Sequence, residues 1–555
     1  MFSFLSQKII YTYNDTVLSL VRGYESMSGV ALLPPSTTAE NARLVSILIT
    51  KITDYLFSLA DPILVSNILA IAFFSLLIVF SFILFRDLIS DKALAFVFAT
   101  VYSTSPYFLY RVSSLTISLY PVFVFPILIC FLVKKRNVFY LLALVITTFL
   151  LSSYYGLFAL ILTVFWKGIE LSLDKEFKKL LAFLASFLLP IGVFLALTYS
   201  TVIIDNIPLL GSYSKSRTAP TEQTTFYRPL ENWYNFSFRP WYLVIPPKSS
   251  LLFKDLAVNA YDSIESTGYY LADDYAVEEM AGSYLGWHFL LGIGFIFYLL
   301  LTDRPGLRDK FPSVYVNRKL ITTSLLCMLL ILLISHPPSF TLGGINVYTP
   351  SYLLYFVLPV FRILVRWSVV IFLLTLVVNS FLWVDIVRMV ASGYKRWLAI
   401  TLFLLLNLAM FSVRFHVLDL GNASSELVYL KDTMEEGGRK VVIYPNADHK
   451  EIFWALYHKG YIVNPKDYVN READFDSNEF SGSLVTLEGI NEMREKETDF
   501  LVLYKDRVSS SRLGEIAALN PQITDLESLR AFFSENFGPV VFESEKALVF
   551  AGRTM

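Results

Sequence analysis

Apolar runs long enough to cross a bilayer constrain this chain more than any other feature. A helix needs about 20 mostly apolar residues to pass the roughly 30 Å hydrocarbon layer. The clearest run, ADPILVSNILAIAFFSLLIVFSFILF, covers residues 60–85. Ten candidate spans can be read, at about 63–85, 93–110, 115–133, 137–151, 154–166, 180–201, 284–301, 320–335, 367–385 and 397–414. Only 17% of the 555 residues are charged, against about a quarter in soluble domains. The expected class is a polytopic α-helical membrane protein. A net charge of −1 argues against nucleic acid as a partner. Both cysteines, Cys130 and Cys327, fall in apolar runs, the setting of small buried filler rather than of disulfides or thiolate metal sites.

Two of the runs are short for a full crossing, NVFYLLALVITTFLL and YYGLFALILTVFW. They are either two spans turning at Ser152, Ser153 and Gly156, or one long tilted helix. Lys and Arg near span ends decide between these, because basic connections stay in the cytoplasm. With ten spans, the connections 86–92, 134–136, 167–179, 302–319 and 386–396, which hold Arg86, Lys134, Lys135, Lys179, Arg308, Lys319 and Arg396 among others, all fall on one side. Merging the pair puts basic loops on both sides. The short connections of the opposite side hold almost no basic residue, Arg111 being the exception.

Five regions follow. Residues 1–62 form an outside N-terminal loop, in which TAENARLVSILITKITDYLFSLA has the mixed polarity of a helix lying along a membrane surface. Residues 63–201 and 284–415 are two halves of a transmembrane bundle. Residues 202–283 form an outside loop too long to be structureless. Residues 416–555 change character and form a small extracytoplasmic α/β domain. There RKVVIYP, DFLVLYK and ALVFAGR read as strands, and EIFWALYHKG and SLRAFFSENFG read as helices. His449 and His458 lie in that domain without zinc-site spacing. In the outside loop, Trp233, Tyr234, Trp241 and Tyr242 suit the stacking of sugar faces and suit an interfacial aromatic belt equally well. Asn14-Asp15-Thr16, Asn235-Phe236-Ser237 and Asn422-Ala423-Ser424 match the N-glycosylation pattern, and all fall on the outer side.

Residues 60–129 resemble the second-to-fourth-span region of large bacterial and archaeal GT-C-type membrane glycosyltransferases. So do LLSSYYGLFALI, AGSYLGWHFLLG, and LISHPPSFTLGG followed by LYFVLPVFRILVRWSVVIFLL. KVVIYP, ALYHKGYIVNP and DFLVLYK resemble the soluble tail of that group. The resemblance covers nearly all of the chain after residue 60. It implies a GT-C-like fold, whose first span has no counterpart here, and an inverting transfer from a polyprenyl-phosphate sugar donor at the outer face of the plasma membrane. The acceptor is a glycan, a lipid or a protein. GT-C enzymes carry an acidic general base on the first outside loop, and Asp15 is the acid nearest that position. The group's acidic pair is absent from this loop, and Ser114 stands where relatives often have histidine.

Such a transfer needs a base near the acceptor and cations near the leaving phosphate. Asp15 is the base candidate; NDT before an apolar run is also a good helix cap. Arg111, Arg362 and Arg366 suit the lipid phosphate, since guanidinium binds phosphate in bidentate fashion; snorkelling or structural ion pairs are the alternative. Arg362 and Arg366, four apart, share a face if LPVFRILVRW is helical. Asp273, Asp274, Glu278 and Glu279 form either a solvated membrane-proximal face or the oxygen ligands of a divalent cation such as Mg or Mn. Asp385, three residues before Arg388, most simply pairs with it. The competing function is a non-catalytic membrane protein that binds or moves a lipid-linked glycan. An ion-coupled transporter is weaker, because the spans hold few acids and no inverted repeat.

Overall fold

The computed structural model describes residues 8–10, 21, 24–25, 28–29, 31–33, 46–113, 116–206, 230–248, 250–266, 282–342, 345–357, 364–390, 393–412, 417–419, 423–434, 438–445, 449–464 and 483–552. After the strand β1 (Lys8–Ile10) the first half of the chain is helical: α1 Ile47–Leu59, α2 Pro62–Leu88, α3 Lys92–Ser103, α4 Pro106–Ser113, α5 Val124–Val133, α6 Val138–Leu151, α7 Ser153–Leu173 and α8 Phe177–Asn206. Polar caps set several starts. The Asp61 carboxylate accepts the Leu64 N–H ahead of α2, Asp91 accepts those of Ala93 and Leu94 ahead of α3, and Asn137 accepts that of Phe139 ahead of α6. Each fills donors that a helix start leaves empty.

The short pair of runs forms two helices. Backbone at Ser152 is extended (φ −158°, ψ 117°) and separates α6 from α7. The two then pack closely: a Cβ on Gly156 would lie 2.3 Å from the Phe149 ring. Two other expected spans are broken. The run 93–110 divides at Thr104 and Ser105 into α3 and α4, and 115–133 begins as two 3-10 turns, Ile117–Leu119 and Pro121–Phe123, before α5.

The second half contains α9 Lys254–Glu265, α10 Trp287–Thr302, α11 Arg318–Ser335, a hairpin of β2 Ser339–Leu342 and β3 Ile345–Tyr348, then α12 Ser368–Val390 and α13 Tyr394–Met410. Helix α12 is apolar all round and is the bundle's axis; 89% of its apolar window is buried, against 11% for α8 at the periphery. Its Asn379 amide donates to the carbonyls of Phe289 (3.2 Å) and Thr375 (2.9 Å), and Gly292 leaves room for it. Close packing of this kind and internal hydrogen bonds hold apolar helices together. Among the described residues, five helices are long and apolar enough to cross a membrane: α2, α7, Phe177–Tyr199 of α8, α11 and Leu364–Met389. The apolar stretches Lys92–Ser103, Ile117–Val133, Val138–Leu151 and Trp287–Thr302 are shorter.

The five basic connections meet at one end of the bundle in a closed circuit of polar contacts. Asp87 pairs with Lys134 (2.6 Å), Lys135 with Glu170 (3.5 Å) and Asp174 with Lys319 (2.6 Å). The N–H and hydroxyl of Ser313 donate to Asp385 at 2.9 and 2.7 Å, and Arg396 pairs with Asp91. Asp385 also takes the expected contact from Arg388, at 3.3 Å. Exposed pairs add about 0–1 kcal/mol each, so the circuit matters here for what it brings together.

The opposite end carries the C-terminal domain. Its sheet runs β6-β5-β7-β9-β8, with β5 Lys440–Tyr444, β6 Tyr461–Ile462 and β7 Phe500–Tyr504 parallel, and with β9 Ala547–Ala551 antiparallel to both of its neighbours, β7 and β8 (Val540–Glu543). Helices α14 Ser425–Thr433, α15 His449–His458, α16 Leu487–Glu495, α17 Ser510–Leu519 and α18 Leu526–Asn536 cover it. The N-terminal segment ties this domain to the bundle. Strand β1 pairs antiparallel with β4 (Val417–Asp419), the Ile462 N–H donates to the Leu32 carbonyl (2.8 Å), and Lys459 lies 3.7 Å from the Tyr24 ring centre. Val21, Leu32, Ile63, Ile117 and Tyr120 share one apolar cluster with Leu427, Ile443 and Val502. The N-terminal segment and the C-terminal domain therefore occupy the same end.

Candidate functional site

At that end, beside the docked N-terminal segment, two arginines distant in sequence come together. Helix α4 starts at Pro106 and places Tyr107 and Tyr110 about one turn or less before Arg111, at i−4 and i−1. The Arg111 guanidinium carbon lies 4.9 Å from each tyrosine ring centre, and the residue is 1% exposed. A buried cation over aromatic faces gains from the ring quadrupole. Arg366 comes from the 3-10 turn Leu364–Trp367, which is anchored where Trp367 stacks on Phe158 (centroids 4.0 Å apart). Its guanidinium sits 4.7 Å from the ring centre of Tyr154, in the first turn of α7. Tyr154 adjoins Tyr155, whose hydroxyl lies 3.1 Å from that of Tyr107, so the two arginines flank one stretch of tyrosine wall.

The tyrosines around Arg111 are fixed by a directed chain. The Tyr155 hydroxyl donates to the Leu119 carbonyl at 2.7 Å and lies 3.1 Å from the Tyr107 hydroxyl. Its one proton is committed to Leu119, so Tyr107 donates to Tyr155. Gly282 passes flush against this wall; a Cβ there would lie 2.5 Å from that of Tyr107. The first turn of α7 adds the positive end of a helix dipole. Two guanidinium groups, tyrosine rings and a helix start make a setting for an anion, above all for a phosphate that Arg can grip with paired N–H groups.

Of the three arginines read for the lipid phosphate, Arg111 and Arg366 lie along one stretch of tyrosine wall. Residues 364–367 form a 3-10 turn, so the shared α-helical face expected for Arg362 and Arg366 does not carry the pairing, and Arg362 lies outside the described residues. Asp15 and the acidic group Asp273, Asp274, Glu278 and Glu279 lie outside them as well. Among the described residues, no three His, Cys, Asp or Glu side chains gather where a metal ion would sit.

The aromatic loop needs correction. Trp233 (0% exposed) meets Tyr355 edge-on, and Tyr242 (1%) is enclosed beside Phe238. Neither presents a face for a sugar to stack on; packing consumes both. Tyr234, hydrogen-bonded to Ser339, and Trp241 remain half-buried. The residue that organises this loop is Arg239, which the sequence reading passed over. It is 1% exposed and donates to the carbonyls of Tyr234 (3.0 Å), Asn235 (3.3 Å) and Ser237 (3.1 Å) and to the Tyr242 hydroxyl (3.1 Å). Its available signal was FRPW: an arginine held extended by the following proline, among rings that need a polar anchor.

The histidines described serve packing. His288 Nε2 meets the Asn407 side-chain oxygen at 3.0 Å among phenylalanines, and His336 Nδ1 meets the Leu332 carbonyl at 2.7 Å. In the C-terminal domain, His458 is buried, and its Nδ1 accepts the Gly460 N–H at 3.0 Å. Burial first, and the Lys459 charge second, push its pKa down to about 3. Cys130 and Cys327 are buried thiols. No known protein-family model matches this chain, and no curated protein is detectably similar to it.

Proposed function

We propose that this chain is a GT-C-like membrane glycosyltransferase. It takes a sugar from a polyprenyl-phosphate donor and passes it to a glycan, lipid or protein acceptor at the outer face of the plasma membrane. The observation that carries the proposal is the Arg111–Arg366 pair, set in tyrosine rings at the bundle end opposite the basic connections. Membrane proteins keep basic connections in the cytoplasm. On that reading the bundle crosses ten times, its shorter helices included, and the arginines, the N-terminal segment and the C-terminal domain lie outside. A lipid-linked phosphate is an anion presented at that end of the bundle, and two neighbouring guanidinium groups suit it because Arg grips phosphate with paired N–H groups.

In the proposed reaction the acceptor hydroxyl oxygen attacks the anomeric carbon with inversion. The bond from that carbon to the phosphate oxygen breaks, and the phosphate leaves with the electron pair, held by Arg111 and Arg366. Asp15 takes the acceptor's proton. Asp273, Asp274, Glu278 and Glu279 are the residues to hold a divalent cation if the reaction uses one.

Purified protein incubated with a panel of radiolabelled polyprenyl-phosphate sugars tests this. Wild type consumes one donor, and Asp15→Asn, expressed equally well, does not. Unchanged turnover removes Asp15 from the mechanism. Donor bound by wild type but never consumed makes the chain a binding protein for lipid-linked glycans.

A further inference from the structure

Helix α1 has three faces, and the bundle uses one. At about 100° per residue, Ile49, Thr53 and Phe57 fall together, and these are its buried positions. Lys51, Asp54 and Ser58 form a second, exposed polar face. Leu48, Ile52, Tyr55 and Leu59 form a third, spaced i, i+4, i+7 and i+11, and are 38%, 42%, 66% and 63% exposed. A helix at a water boundary has no use for that third stripe. A helix between protein, water and lipid uses all three.

The place of α1 says what covers the stripe. It packs against α6, the start of α2 and the turn Ile117–Leu119, and its buried face belongs to the cluster on which Leu151, the last residue of α6, also packs. Helix α6 has 14 residues, about 21 Å at 1.5 Å each, and so falls some 9 Å short of a hydrocarbon layer of roughly 30 Å. At the other end of α6, next to the basic connection, Phe139 and Tyr140 are 68% and 53% exposed, as aromatics at a lipid interface are. The shortfall is therefore at the end where α1 sits. A helix lying on its side is about 10 Å thick.

We propose that α1 lies in the interfacial layer of the outer leaflet, with Leu48, Ile52, Tyr55 and Leu59 in the acyl chains, and completes the lipid-facing wall that α6 is too short to finish. The occupant of the stripe is bilayer lipid. The inference rests on α6 being a crossing and is independent of sugar transfer.

Single cysteines at Lys51, Ile52, Asp54 and Tyr55 in full-length protein, carrying a small fluorophore in liposomes, test it; Cys130 and Cys327 are buried from the label. Quenchers are aqueous iodide and lipids with a nitroxide high or low on the acyl chain. Ile52→Cys and Tyr55→Cys are expected to be quenched several-fold more by the high nitroxide than by iodide, with the order reversed for Lys51→Cys and Asp54→Cys. Iodide quenching of all four alike places α1 in water and overturns the proposal. Strongest quenching of all four by the low nitroxide places it in mid-bilayer and overturns it equally. Donor turnover does not enter the readout, so failure here and failure of the transferase reading are distinguishable.

Discussion

Single side chains carry most of the chemistry, and they were legible to different degrees. Arg111 stood out because it breaks the charge asymmetry of the connections. Arg239 did not, because its partners are carbonyls that only the folded loop assembles. His458 was readable only as lacking zinc-site spacing, and its burial adds a pH dependence. Its folded pKa of about 3 lies below the roughly 6.5 of an unfolded histidine. The folded state thus binds the proton more weakly. The stability this buried neutral ring supports is complete above the unfolded pKa and is lost as pH falls from there towards the folded one. Between pH 7 and pH 5 the C-terminal domain is expected to lose about 2 kcal/mol. The check is the urea concentration at which β7 and β9 lose hydrogen-exchange protection in the full-length protein. His458→Gln flattens the difference; an equal difference in wild type and variant refutes the assignment.

At the scale of elements, the turn was more readable than lengths or caps. Ser152, Ser153 and Gly156 marked the break between α6 and α7, whereas the caps Asp61 and Asp91 showed only in the folded helix starts. Helix α7, read as ending near Trp166, runs to Leu173. Lys167 and Glu170 looked like a polar connection but pair with each other along the helix, at 2.7 Å. The α6–α7 hairpin depends on a close approach that a side chain would block. A Cβ at Gly156 meets the Phe149 ring at 2.3 Å and the Phe149 Cα at 2.6 Å, and backbone yields less readily than a rotamer. Gly156→Ala is expected to destabilise the bundle by about 1–3 kcal/mol, the range for overpacking a well-filled core. Gly168→Ala, on the same helix with open space around it, is the matched control. Thermal unfolding in detergent separates them; equal melting temperatures refute the hairpin contact.

For the whole molecule, the apolar runs announced a helical bundle and the basic connections a shared side for them, and the alternating strands and helices announced the C-terminal sheet. The clamp of N-terminal segment on C-terminal domain was not legible, because β1 and β4 are three residues each and lie some four hundred residues apart in sequence. The same long-range assembly makes the candidate site, joining α4, the first turn of α7 and the turn Leu364–Trp367. If one phosphate engages both guanidinium groups, their contributions are coupled, as expected for groups sharing a partner. The most direct measurement is a double-mutant cycle on binding of a polyprenyl phosphate to full-length protein with Arg111→Ala, Arg366→Ala and both. Each single change is predicted to weaken binding about 10- to 100-fold, from 1.5–3 kcal/mol per charged hydrogen-bonding group, and the double change by clearly less than the product of the two. Binding untouched by either change, or losses that simply multiply, would contradict a shared phosphate site.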